Sequence, residues 1–123
     1  MAKTILIVDD EPDVRAFLAA FLEDHGYVVC TAADPAQGLA LLRDRGADLL
    51  LLDLQMPGSS GLGLYVAIRE ADDWRRLPVI IVTGLSSFDL FDARCRPLPP
   101  PAAILEKPID RAALLDAVRR VLG

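Results

Sequence analysis

The 123-residue chain suffices for one hydrophobic core and not for two domains, so residues 1–123 are read as one unit. Hydrophobic residues make up 53% of it and charged residues 25%, which excludes disorder as the global state. Acids outnumber bases 18 to 13 and the formal net charge is −5, which argues against a binder of nucleic-acid backbones or of anionic membrane surfaces.

Along the chain, apolar runs alternate with amphipathic stretches. Ile5 to Val8 is a short apolar run stopped by Asp9 and Asp10, the pattern of a buried strand. Pro12 suits the first turn of a helix, and Val14, Phe17, Leu18, Phe21 and Leu22 recur on one face of it before Gly26 ends it. Tyr27 to Thr31 is β-branched and aromatic enough for a second strand. Asp34 and Pro35 read as an N-cap and a first-turn proline, opening a helix with Leu39, Leu41 and Leu42 that runs to Gly46. Asp48 to Leu52 is nearly all leucine. Propensity alone favours a helix there, but the shortness of the run and its flanking turn residues favour a strand buried on both faces.

Pro57 to Gly61 reads as a loop, followed by a third helix that turns Leu64, Tyr65 and Ile68 inward and ends near Asp73. Pro78 to Val82 is the clearest strand. Ser87 is placed to cap a short helix carrying Phe88 and Phe91, after which Pro97, Pro99, Pro100 and Pro101 exclude helix and impose extended backbone. Ala102 to Glu106 is the fifth strand. Asp110 caps a last helix whose inward face is Leu114, Leu115, Val118, Val121 and Leu122. Strands alternating with helices imply right-handed crossovers and a parallel sheet covered on both faces, with the ligand site beyond the carboxyl ends of the strands.

No apolar run approaches the ~20 residues that a membrane span needs, and the first one stops too soon for a signal peptide. With the cysteines at 30 and 95 and one histidine, a zinc site lacks ligands, and a reduced pair in the cytoplasm is the simpler expectation. His25 fits a helix C-terminus, Cys30 a core strand and Trp74 the surface or an edge of the core.

Polar residues stand directly after several apolar runs: Asp9 and Asp10, Asp53, Thr83 and Lys107. Each alone is ordinary, as a cap, a turn residue, a strand end or a loop charge. In a parallel sheet all five gather at one edge. Carboxylates brought together raise one another's proton affinity, and a cation relieves the repulsion. Carboxylate oxygens with room for water suit Mg²⁺. A metal, an ammonium and a hydroxyl around one carboxylate describe a site for a phosphoryl group, with Asp53 as the nucleophile.

Four segments, ILIVDDEP at Ile5 to Pro12, LLLLDLQMPGSSG at Leu49 to Gly61, VIIVTG at Val79 to Gly84 and ILEKP at Ile104 to Pro108, occur in this order. With them the chain resembles, over essentially its whole length, the receiver domain of two-component response regulators. The resemblance implies a flavodoxin-like (βα)5 three-layer sandwich with strand order 2-1-3-4-5. It implies that Asp53 is the phosphoacceptor, charged from a phosphohistidine of a sensor histidine kinase or phosphotransfer protein. Asp9, Asp10, Asp53 and the backbone carbonyl of Gln55 would ligate Mg²⁺, Thr83 would be the switch hydroxyl and Lys107 the phosphate-binding lysine. A cis peptide is implied at Lys107-Pro108, and a homodimer on phosphorylation is open.

Two departures stand out. The family usually carries Tyr or Phe three residues before the lysine, and this chain has Ile104, which has no ring to turn inward as the switch threonine moves. The irregular, proline-rich segment from Ser86 to Pro101 replaces part of the usual fourth helix. Phosphorylation-controlled partner binding is the leading function, by a domain that modifies and demodifies itself rather than a conventional enzyme. The alternatives are a degenerate receiver that binds partners without phosphorylation and a haloacid dehalogenase-type phosphohydrolase. The latter needs an acid where Gln55 stands. Gly123 directly follows the last helix, which fits a free-standing receiver or one within a longer protein.

Overall fold

Each short apolar run of the sequence forms a strand of one parallel sheet. The strands are β1 (Thr4–Val8), β2 (Val28–Ala32), β3 (Leu49–Asp53), β4 (Val79–Thr83) and β5 (Ala103–Glu106), in the order β2-β1-β3-β4-β5. The helices among the described residues are α1 (Pro12–Asp24), α2 (Pro35–Asp44), α3 (Gly61–Glu70) and α4 (Arg111–Leu122). The structure, a computed structural model, describes residues 2–56, 59–84 and 98–123, and the side chains at 55, 56, 59, 60 and 83 are outside that description. The short helix expected around Ser87, Phe88 and Phe91, and with it Cys95 and Pro97, lies outside the described residues.

The all-leucine run resolves in favour of the strand. Every residue of β3 is buried, because the sheet carries a core on each face. On one face Leu50 and Leu52 pack with Leu6, Val8 and Ile81 under Leu42 of α2 and Tyr65 and Ile68 of α3. On the other, Leu49 and Leu51 pack with Ile5, Ile7 and Val82 under Leu18 and Leu22 of α1 and Leu114 and Val118 of α4. A leucine so buried stabilises the fold by about 1.5–3 kcal/mol relative to leaving it exposed, which outweighs the few tenths by which leucine prefers a helix.

Local chemistry fixes the helix ends. The Asp34 carboxylate accepts the Gln37 amide at 2.8 Å while the Gln37 side chain accepts the Ala33 amide at 2.8 Å, a reciprocal cap. Asp110 accepts the Ala112 amide at 3.0 Å at the start of α4. Gly26, at φ +92°, turns the chain out of α1 through a backbone region that costs a side-chained residue strain. His25 caps that helix, with its Nδ1 2.9 Å from the Phe21 carbonyl.

Several expectations are corrected. Phe17 is 44% exposed rather than core, since it lies at the margin of the α1 stripe. On α4, Ala117 is buried and Leu115 only half-buried. The third helix ends at Glu70, before Asp73, and the loop before it contains a two-residue antiparallel ribbon of Gln55–Met56 against Ser59–Ser60. From Leu98 to Ala102 the chain has neither helix nor strand. No helix among the described residues is long and apolar enough to cross a membrane.

Candidate functional site

Sheet register assembles the site. Val8 of β1 lies opposite Leu52 of β3, so the next residues, Asp9 and Asp53, emerge side by side at the carboxyl edge. Asp53 lies opposite Val82 and Thr83 opposite Glu106, which brings the backbone of Thr83 and then Lys107 to the same edge. The peptide between Lys107 and Pro108 is cis.

The side chains meet there. One oxygen from each of Asp9, Asp10 and Asp53 lies within 4.8 Å of the others. Lys107 Nζ donates to Asp53 Oδ2 at 3.1 Å and stands 3.9 Å from Asp9 Oδ2. Asp9 and Asp53 are each 2% exposed. Asp9 is held from several sides: its Oδ1 accepts the Glu11 amide at 2.8 Å, its carbonyl accepts Arg15 Nη1 at 2.7 Å, and its amide donates to Ala32 at 3.1 Å. Asp10 Oδ1 is buried and has no hydrogen-bond partner among the described residues. The Gln55 backbone follows in the short ribbon after Asp53. The Thr83 hydroxyl and any contact of the Gln55 side chain lie outside the described residues. Ile104 is 36% exposed, because β5 turns Ala103 and Leu105, not Ile104, to the core shared with α1 and α4.

Among the described residues the site holds three carboxylates and one ammonium. Burial pushes the Asp9 carboxyl above its ordinary range; the Glu11 amide opposes this, Asp53 adds to it and Lys107 opposes it. Burial disfavours the charged Lys107, but its hydrogen bond to Asp53 and the attraction of Asp53, Asp9 and Glu11 outweigh that and hold the ammonium above its ordinary value. One ammonium does not balance three carboxylates. An all-oxygen donor set with a buried Asp10 oxygen that has no hydrogen-bond partner fits a hard divalent cation, and among the described residues the cluster has no sulfur or imidazole, which zinc would favour.

Gly61 abuts the backbone that carries Asp53. A Cβ there would collide with the Asp53 carbonyl oxygen and come within 2.9 Å of Leu54 Cα. This close approach of α3 to the residue after β3 escaped the sequence reading, which took Gly61 as the end of a loop. Its signal was the small residue at the start of an apolar helical stripe.

Residues 5–119 match the response regulator receiver domain. The chain belongs to that family. This receiver domain is similar to protein PilH of Pseudomonas aeruginosa, at 35% identity over 119 residues, 97% of each chain. It is also similar to the phosphate regulon transcriptional regulatory protein PhoB of the same organism, at 38% identity over 89 residues, 72% of this chain and 39% of PhoB. The CAI-1 autoinducer sensor kinase/phosphatase CqsS of Vibrio cholerae is 36% identical over 86 residues, and the match spans only 12% of its length. This receiver domain thus spans well under two thirds of PhoB and CqsS. Among solved structures, chemotaxis protein CheY4 of Vibrio cholerae superposes with a TM-score of 0.86 at 27% identity, covering 99% of this chain and 100% of CheY4. The receiver domain of NtrX from Brucella abortus gives 0.84 at 32% identity, covering 96% and 97%. The fold is the CheY-like, flavodoxin-like sandwich, and the match sets aside the dehalogenase-type alternative.

Proposed function

We propose that this receiver domain accepts a phosphoryl group on Asp53 from a phosphohistidine of a sensor histidine kinase or phosphotransfer protein, and signals through altered binding of a partner. The observation that carries the reading is the convergence of the Asp9, Asp10 and Asp53 oxygens within 4.8 Å, with the Lys107 ammonium 3.1 Å from Asp53. In this reading an Asp53 carboxylate oxygen attacks phosphorus, the phosphorus–nitrogen bond breaks, and the imidazole keeps the electron pair. Lys107 faces the charge that spreads over the phosphoryl oxygens and restrains Asp53 before transfer. Asp9, fixed by Glu11, Arg15 and Ala32, and Asp10 would hold Mg²⁺ together with Asp53 and the Gln55 carbonyl. When bound, Mg²⁺ supplies positive charge to the phosphoryl oxygens. The Thr83 hydroxyl is assigned to a phosphoryl oxygen from the family pattern. Hydrolysis of the acyl phosphate returns the domain to its resting form, so it is a self-modifying switch of the cytoplasm rather than a conventional enzyme.

The test is direct. The protein is incubated with Mg²⁺ and a small acyl phosphate donor, and its intact mass is measured. The expected result is a gain of one phosphoryl group, labile to alkali and hydroxylamine and absent from Asp53→Asn. An unmodified parent protein overturns the reading and leaves the phosphorylation-independent alternative, to which Ile104 lends its one structural argument: an exposed aliphatic residue where the family carries an aromatic.

A further inference from the structure

A second concentration of charge lies at the opposite edge of the sheet, where β4 and β5 begin. Arg69, in the last turn of α3, is only 3% exposed. Its Nε donates to the Tyr65 hydroxyl at 3.3 Å and the Pro99 carbonyl at 3.2 Å. Nη1 donates to the carbonyls of Leu77 at 2.6 Å, Arg75 at 3.2 Å and Trp74 at 3.4 Å, and Nη2 to that of Pro100 at 3.4 Å. The guanidinium also lies 5.0 Å from the centre of the Tyr65 ring. Among the described residues no carboxylate pairs with it. A full charge is held out of water by dipoles alone, and a buried cation in that condition favours any anion that reaches it.

A route to it is open. Arg69 lines a recess of about 510 Å³ together with Arg75, Arg76, Pro99, Pro100 and Val121. Arg75 and Arg76 are exposed and likewise have no ion-pair partner among the described residues. One carboxylate, Glu70, lines an adjoining recess shared with Arg69 and Arg75. Three arginines therefore line one concavity in a chain of net charge −5, and Arg69 has one Nη2 hydrogen beyond those its carbonyl and hydroxyl partners take.

We propose that this recess binds a small organic phosphate. The exposed Arg75 and Arg76 would take the phosphate, for which planar guanidinium donors are suited, with the remaining Nη2 hydrogen of Arg69 beneath them, and the proline and valine wall would take the apolar body. The volume falls in the ordinary range of small-ligand sites, about 300–1,000 Å³. An acidic protein surface would meet Arg75 and Arg76 but not enter the recess to reach Arg69, which is why a small ligand is favoured. The proposal is independent of phosphorylation at Asp53.

The probe is ADP, titrated into the full chain in EDTA at constant ionic strength, so that no divalent ion recruits phosphate to the acidic edge. Calorimetry is read beside the fluorescence of Trp74, the only tryptophan, whose carbonyl Arg69 holds. The expected result is saturable binding with a Kd below about 1 mM, weakened about tenfold or more in Arg75→Glu/Arg76→Glu and unchanged in Asp53→Asn. Adenosine is expected to give no response, and pyrophosphate a weaker one than ADP. A circular dichroism spectrum and a urea midpoint like those of the parent check that the double variant is folded. A response to ADP that never saturates, equal affinity in the folded double variant, or loss of binding in Asp53→Asn overturns the site. Pyrophosphate binding as tightly as ADP overturns the organic part of the ligand. Binding of polyglutamate without any response to ADP overturns the proposal in favour of an acidic polypeptide.

Discussion

At Asp9, burial and the Asp53 carboxylate hold proton affinity up, against the Glu11 amide and Lys107. Folded Asp9 thus binds its proton more tightly than the unfolded chain does. As pH rises from the ordinary value of 3.8 through the higher folded value, ionisation of Asp9 removes stability. In EDTA, Asp9→Asn is expected to need more urea to unfold than the parent at pH 7, with the gap closing as pH falls towards 4. The Asn side chain keeps the oxygen that accepts the Glu11 amide, so a gap of constant size at every pH would mean that the charge is not its cause. Lys107 runs with the opposite consequence. Its contribution is complete below the ordinary value of 10.5 and is lost only as pH rises through its higher folded value, so it takes no part in that titration. Lys107→Ala tests its role toward phosphate. Removing one charge-stabilising donor costs about a hundredfold or more in rate, so acyl phosphate labelling of Asp53 is expected to slow by that order. Calorimetric Mg²⁺ affinity is expected to hold or rise, since a competing cation has gone. Equal losses in both would point to a collapsed site instead.

At the scale of elements, the join between β3 and α3 carries the Asp53 backbone. Because a Cβ on Gly61 would collide with the Asp53 carbonyl, Gly61→Ala is expected to cost about 1–3 kcal/mol in urea unfolding and to weaken Mg²⁺ binding. Leu51→Ala, buried between β1, β4 and α4 but farther from the edge, is expected to cost about 2–5 kcal/mol while the folded fraction binds Mg²⁺ as before. Comparing the two separates loss of packing from displacement of the site. The same elements show what the sequence made legible. Apolar runs of strand length bounded by turn residues were enough to find every strand of the main sheet, and their order along the chain was enough to bring Asp9, Asp53 and Lys107 to one edge. The caps at Asp34 and Asp110 were legible because capping is local. Arg69 was not, because a helical arginine ordinarily faces water. What buries this one is a set of carbonyls from the 74–77 turn and from Pro99 and Pro100, about 30 residues on. Phe17 failed for a related reason: period alone does not say how wide the buried stripe of a helix is.

Among the described residues the charges separate, with three carboxylates around one ammonium at one edge of the sheet and three arginines without an ion-pair partner at the other. Cations at the acidic edge are therefore expected to stabilise the fold in two distinguishable ways. Monovalent salt screens the repulsion within a chain of net charge −5 and acts without saturation. A site for Mg²⁺ acts by linkage, because the oxygens that form it are brought together only in the folded state. At a hundredfold excess over Kd that linkage amounts to about 2.7 kcal/mol, or on the order of 10 °C in Tm for a domain of this size. Melting curves in MgCl2 and in NaCl at matched ionic strength are expected to diverge, the magnesium series rising along a binding isotherm. In Asp10→Asn, which removes a ligand but also a repelling charge, the divergence is expected to disappear while the Tm in EDTA stays at or above that of the parent. If the two salts raise Tm equally in the parent, the acidic edge attracts cations only as a diffuse field and holds no bound ion.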